Sequence, residues 1–161
     1  MAQSGGRPVR PPQVLKGMRD ILPQQMLLRQ HVISTFRRVF ERYGFEPIET
    51  PVLEYLDVLT GKYGEDEKLI YHFTDRGGRE VGMRYDLTVP LARFVATHRH
   101  ELSFPFKRYH IEPVFRADRP QRGRYRQFWQ CDADIVGTAS MLADAEVIMV
   151  WIDALSAIHM P

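Results

Sequence analysis

The sequence predicts an α+β fold in which an antiparallel sheet is flanked by helices. Residues 107–116 and 126–136 alternate apolar and polar side chains, the period of a strand with one covered face. Residues 23–43 and 140–155 instead place apolar side chains three and four positions apart, the period of an amphipathic helix. Between them, the stretch 69–86 alternates on both sides of Asp75-Arg76-Gly77-Gly78, a hairpin signature.

Leu22-Pro23 opens the first helix, in which Leu28, Val32, Phe36, Val39, Phe40 and Tyr43 share a face, and Gly44 stands where a C-terminal cap belongs. Phe45 to Thr50 contains Pro47 and is followed by Pro51. Proline is excluded from a central ladder, so this segment reads as an extended edge or interface strand. Residues 52–68, with Gly61, Gly64 and a charge run from Glu65 to Lys68, read as a loop able to close over a site. Leu69–Phe73 and Glu80–Asp86 form the two arms of the hairpin. Thr88 then caps a short helix with Pro90 near its start and Leu91, Phe94 and Val95 on one face. Lys107–Arg116 and Arg126–Val136 are two strands joined by a basic loop. Ser140 caps the last helix, whose Leu142, Ala145, Ile148, Met149, Ile152 and Leu155 form a broad apolar stripe.

Of the 161 residues 44% are hydrophobic, which supplies the core of one domain. With 26% charged residues, 11 Gly and 11 Pro, the composition excludes a disordered, collagen-like or coiled-coil chain. No run approaches the roughly 18 apolar residues of a membrane span, and the basic N-terminus has no apolar stretch behind it. Neither a membrane nor a secretory reading is therefore expected. The single cysteine, Cys131, has no partner for an internal disulfide and too little company for a thiolate zinc site, so a reducing, cytoplasmic location is expected. Its expected role is that of a small buried hydrophobe.

The net charge of +2 is unevenly spread. Arg7, Arg10, Lys16 and Arg19 stand near the N-terminus without an acid, and residues 1–14 read as a basic flexible tail. The stretch from Arg116 to Arg126 holds Arg116, Arg119, Arg122, Arg124 and Arg126, is broken by Pro120 and Gly123, and is followed by Phe128 and Trp129. Such a loop suits polyphosphate or a nucleic-acid backbone; a solvated hairpin tip is the bland alternative.

Side chains two apart on a strand share a face. The last strand splits into Trp129, Cys131, Ala133 and Ile135 against Gln130, Asp132 and Asp134. The preceding one splits into Tyr109, Ile111, Pro113 and Phe115 against Arg108, His110, Glu112 and Arg116, and the hairpin arm places Arg84, Asp86 and Thr88 opposite Met83, Tyr85 and Leu87. A sheet face in water gives this alternation without any function. These rows, however, mix carboxylates, an amide and arginines, which suit a polar ligand: carboxylates for an ammonium or imidazole, arginines for a phosphate.

At these residues the chain resembles the N-terminal catalytic half of the class II aminoacyl-tRNA synthetases, and among them the histidyl-tRNA synthetases. The resemblance is carried by Lys16-Gly-Met-Arg-Asp20, by Tyr43-Gly-Phe-Glu-Pro-Ile-Glu-Thr-Pro51, which is similar to motif 1, and by Met83-Arg-Tyr-Asp-Leu-Thr88. The most specific segment, Val114 to Gly137 with Phe115-Arg-Ala-Asp-Arg-Pro and Arg122-Gly-Arg-Tyr-Arg-Gln-Phe, resembles motif 2 and its loop. Residues 15–161 would then be the N-terminal part of the catalytic domain, with motifs 1 and 2. By this resemblance motif 3 and the anticodon-binding domain would be absent from residues 1–161, and weak or no aminoacylation by this chain alone is expected. Arg84-Tyr-Asp-Leu-Thr and Cys131-Asp-Ala-Asp134 stand where Arg-Pro-Glu-Gly-Thr and Leu-Gly-Val-Glu are frequent in bacteria, and resemble the archaeal and eukaryotic variant.

The resemblance implies ATP-dependent activation of L-histidine to histidyl-adenylate and transfer to tRNA(His), with Mg2+ accompanying ATP. It implies that Arg116 is the catalytic arginine, holding the ATP α-phosphate and the amino-acid carboxylate. Asp86, Thr88 and Gln130 would bind the α-ammonium, and Asp134 the imidazole. Arg124, with Asp118 and Arg119, would reach ATP from the loop. Glu112 or Asp132 would support magnesium, and the sequence does not choose between them. A homodimer is implied, with residues 24–43 and the segment ending at Pro51 at its interface; an apolar helix face alone does not separate interface from core. Two other readings compete: a non-catalytic histidine-sensing paralogue, such as the regulatory subunit of ATP phosphoribosyltransferase, and a stand-alone RNA-binding module. His98-x-His100 lacks the further ligands a metal site needs.

Overall fold

In the computed structural model, which describes residues 11–61 and 64–160, helix α1 spans Pro23–Arg42 with proline at its start, where the missing N–H removes no helical bond. Gly44 ends it. At φ 77° its N–H donates to Glu41 O at 2.9 Å, while Phe45 N–H donates to Phe40 O at 3.0 Å. These paired bonds close the last turn, and the buried Phe45 and Phe40 meet at the corner they make.

The chain continues through β1 (Glu46–Pro47), β2 (Leu53–Tyr55), α2 (Leu56–Leu59), a 3-10 segment (Gly64–Leu69), β3 (His72–Thr74), β4 (Glu80–Met83), α3 (Thr88–His98), β5 (Phe106–Phe115), β6 (Gln127–Val136) and α4 (Met141–Ser156). One sheet has the order β1-β5-β6 and the other β2-β4-β3. β5 and β6 are antiparallel from Phe106 opposite Val136 to Phe115 opposite Gln127. β1 is the expected edge strand, and it runs parallel to β5. Parallel pairing follows from the connection, because β1 is separated from β5 by the whole second sheet and α3.

The core lies between the apolar row of the larger sheet and the two long helices. Tyr109, Ile111 and Ala133 of the sheet meet Phe36, Val39 and Phe40 of α1 and Val150 and Ala154 of α4. Phe40 and Trp151 make an edge-on contact at 5.9 Å between ring centroids. Cys131 packs against this cluster but is only half-buried, short of the burial expected of it, and desolvation followed by the charge of Asp132 pushes its thiol up to about 11.

Several local expectations change. Residues 52–68 are not one loop: β2 pairs with β4, and α2 and the 3-10 segment follow. The hairpin arms are shorter than the alternation suggested, His72–Thr74 and Glu80–Met83, because Arg84 leaves the ladder to join the two sheets. Thr88 does not cap α3. It is the first helical residue, and Asp86 Oδ1 instead accepts the N–H groups of Thr88 and Val89 at 3.0 and 3.2 Å. Ser140 does cap α4, accepting from Leu142 N–H at 3.3 Å.

The apolar stripe of α4 divides, and only Leu155 of it packs on the core. Leu142, Ile148, Met149 and Ile152 are exposed, and the helix meets the core through Val150, Trp151, Ala154 and Leu155. Val150 and Ala154 are small enough to let α4 approach Phe40, whereas the Leu142–Ile152 stripe would hold it away. Residues 1–10 of the expected basic tail lie outside the described residues.

Candidate active site

The β5–β6 register sets the polar rows against each other: Arg108 faces Asp134, His110 faces Asp132, and Glu112 faces Gln130. The solvated-face reading fails here, because Arg108 and His110 are both 0% exposed. Arg108 forms an ion pair with Asp134. Burial works against the Arg108 charge, and Asp134 followed by Asp132 offsets it. His110 is held down at about 3 by burial first and then by Arg108 and Arg84, so its ring is neutral. Burial, joined by the charges of Asp134 and Asp86, raises Asp132, which Gln130 Nε2 and Arg108 pull the other way.

The segment that enters α3 closes one side of this face. Arg84, 1% exposed, donates from Nε to Pro113 O at 2.9 Å, from Nη1 to Thr50 O at 2.8 Å and from Nη2 to Glu112 Oε2 at 3.2 Å. It thereby ties both sheets together. Asp86 is set in place by the start of α3, and Thr88 beside it is exposed. Glu112, one of the two residues expected near magnesium, is engaged by Arg84, whereas Asp132 accepts from Gln130 at 3.0 Å. Among the described residues no group of three or more His, Cys, Asp or Glu side chains has the geometry of a metal site.

At the far end of the ladder the basic loop folds back on itself. Arg116 N–H donates to Arg126 O at 2.9 Å, and Arg124 N–H to Gln121 O at 3.0 Å. The Arg116 guanidinium lies 4.3 Å from the Tyr85 ring centroid and 5.0 Å from that of Phe128, and its Nε donates to Tyr85 O at 3.1 Å. Asp118, buried, takes Arg124 bidentately at 3.0 and 3.1 Å. A cavity of about 260 Å³ opens between Arg116, Asp118, Gly123, Arg124, Tyr125 and Phe128, two guanidiniums beside aromatic walls. Arg119 and Arg122 are exposed outside it.

The fold therefore brings Asp86, Gln130, Asp132 and Asp134 to one sheet face, and Arg116, Asp118 and Arg124 to the adjoining cavity. Sequence reasoning missed the grip on the loop from the N-terminal segment. Arg126 N–H donates to Gly17 O at 2.7 Å, Arg126 Nη1 to Lys16 O at 3.2 Å, and the Arg19 guanidinium lies 3.8 Å from the Tyr125 ring centroid. Lys16-Gly-Met-Arg-Asp20 carried part of the family resemblance, but nothing in its residue types shows that it packs on the basic loop. An arrangement of carboxylates and an amide beside arginines over aromatic rings can hold a zwitterionic amine next to a polyphosphate.

The family model described as histidyl-tRNA synthetase matches residues 17–161. The chain belongs to the histidyl-tRNA synthetase family. A histidine-tRNA ligase of Rhodopirellula baltica is 58% identical over 89% of this chain and 33% of its own length, and one of Aeropyrum pernix is 52% identical over 98% and 36%. The crystal structure of a histidyl-tRNA synthetase from Nostoc sp. PCC 7120 superposes with a TM-score of 0.79 at 39% identity, covering 90% of this chain and 34% of that one. A Bacillus halodurans structure titled ATP phosphoribosyltransferase regulatory subunit/histidyl-tRNA synthetase gives a TM-score of 0.81 at 28% identity, covering 92% of this chain and 39% of that one. The chain thus spans about a third of the length of the curated family members it matches. No helix among its described residues is long and apolar enough to cross a membrane.

Proposed function

We propose that the whole protein is a cytoplasmic, homodimeric histidine-tRNA ligase, which activates L-histidine with Mg2+-bound ATP and passes the histidyl group to tRNA(His). The observation that carries this reading is the junction of the carboxylate face with the arginine-lined cavity at Arg116. In this reading Arg116, fixed by Tyr85 O and two aromatic rings, meets the histidine carboxylate and the ATP α-phosphate where negative charge accumulates during in-line displacement. Asp86, Thr88 and Gln130 hold the α-ammonium, and the buried Gln130 Oε1, which has no protein partner among the described residues, supplies an acceptor. Asp134 accepts from the imidazole N–H. Arg124 contacts the polyphosphate with Arg119 nearby, and Asp118 acts by aligning Arg124, since a carboxylate placed on phosphate would repel it.

Histidine-dependent exchange of pyrophosphate into ATP by the whole protein tests this. Arg116→Ala is expected to lower the exchange rate by about 10²–10³-fold, the usual loss on removing one donor to a developing anion. Absence of exchange in the unaltered protein overturns the reading. Histidine binding without exchange would favour a non-catalytic, regulatory reading, in line with the regulatory subunit named for the Bacillus halodurans structure.

A further inference from the structure

A buried ion pair is a poor source of stability, because desolvating both charges consumes most of their attraction. Arg108 is nevertheless 0% exposed. It does not join the two sheets, a task Arg84 performs through Thr50, Glu112 and Pro113. Its Nε and Nη1 donors find no hydrogen-bond partner among the described residues, and neither do the two ring nitrogens of His110 next to it on the same strand face. Each such unpaired group costs stability, so this patch is not explained by a gain in stability.

What Arg108 does meet is Asp134, directly opposite in the ladder. The pair is asymmetric: the arginine side chain is 0% exposed and that of the aspartate 44%. One oxygen of Asp134 is thus gripped from inside the protein while the carboxylate is reachable from outside. Asp132 lies on the same face of β6, and Asp86 is close enough to act on Asp132. Without the cation, Asp134 would stand beside like charges with nothing to hold its rotamer, and it would swing towards solvent. With it, the pair is neutral as a unit. It offers a fixed acceptor to an uncharged imidazole N–H and gives an imidazolium little extra attraction.

We propose that Arg108 is a positioning residue for imidazole recognition, acting through Asp134 by clamping its carboxylate from a buried neighbouring position on the same sheet face. This rests on the assignment of Asp134 to the histidine side chain. It extends the site to a residue that touches no substrate.

The test is pyrophosphate exchange in the whole protein, read as separate KM values for histidine and ATP. Arg108→Met is expected to raise the histidine KM at least about tenfold and to move the ATP KM by less than about twofold, the pattern of a lost substrate contact and not of general damage. Arg108→Lys, which keeps the charge but loses the planar fork, is expected to restore most of the affinity and leave a deficit of about threefold. Asp134→Asn is expected to raise the histidine KM by itself, and adding Arg108→Met to it should cost little more, because the two act as one unit. Equal shifts in both KM values, or an unchanged histidine KM in a folded Arg108→Met protein, overturn the proposal. If Arg108→Met does not fold, Arg108→Lys decides, and an unchanged histidine KM there overturns it. The two levels separate cleanly: an Asp134→Asn protein with normal histidine KM removes the imidazole assignment and the Arg108 role with it. A raised KM in Asp134→Asn beside a normal one in Arg108→Met removes the Arg108 role only.

Discussion

Gly17 O accepts the backbone N–H of Arg126 at 2.7 Å, which joins a segment near the N-terminus to the stem of the basic loop more than a hundred residues later. Gly17 adopts φ 88°, and a Cβ built there would lie 2.8 Å from both Pro120 Cγ and Arg126 Cδ. Glycine is required twice over, by the backbone region and by the closeness of the loop.

Gly17→Ala is therefore expected to destabilise the protein by about 1–3 kcal/mol, the cost of a left-handed non-glycine residue, with further strain from the contact. Urea unfolding measures it, and an unchanged midpoint would show that the two segments do not pack this closely.

Arg84→Met should be among the most damaging single changes. It strips Thr50 O and Pro113 O of their buried donor and Glu112 of its cation, for an expected loss of roughly 3 kcal/mol. A fall in thermal stability worth less than about 0.5 kcal/mol, the level of an ordinary surface change, would contradict its role as the joint between the sheets.

His110 makes stability depend on pH. Its folded value is held at about 3 against an ordinary 6.5, so between those limits the unfolded chain binds a proton that the native state refuses. The stabilising contribution is complete above pH 6.5 and is lost as pH falls towards 3, at no more than about 1.4 kcal/mol per pH unit for one proton. Asp132, raised by burial, works in the opposite direction, since its native carboxyl takes up a proton more readily than the unfolded one. The informative quantity is consequently the difference between the unaltered protein and His110→Phe. Denaturant unfolding between pH 6.5 and 4.5 should show a shallower decline in the variant, and parallel declines would mean that His110 is not buried neutral.

The two faces of α4 predict opposite responses. Met149→Lys, on the exposed stripe, should change stability by less than about 0.5 kcal/mol. Ala154→Lys puts an unpaired charge against Phe36 and Phe40 and should cost at least about 3 kcal/mol. Comparable losses at both positions in thermal melts would contradict this orientation of the helix.

That orientation marks where sequence reading ends. The β5 and β6 ladder was legible almost to the residue, because a strand that buries one face tolerates a single register and a slip of one residue would turn every apolar side chain outward. The α1 end at Gly44 was legible for a similar reason, since only a left-handed residue completes that turn. The last helix is apolar on two faces, and periodicity does not rank them. The choice fell to shape, with Val150 and Ala154 fitting the aromatic surface of α1. Asp86 displaced Thr88 as the cap because its carboxylate reaches two N–H groups from two positions back, a detail of backbone path that residue type does not encode.

By itself, then, the sequence determined which residues form the α+β core and which polar side chains share a sheet face, because both follow from local periods of two and 3.6 residues. Its long basic motif also determined the family. The tertiary structure decided which of those polar side chains are buried. Arg84, Arg108 and His110 read the same as solvated residues until the segment entering α3 and the β6 partners are laid against them. Burial is a property of what arrives from elsewhere in the chain, and so are the neutral ring of His110, the clamp on Asp134 and the grip of Gly17 on Arg126.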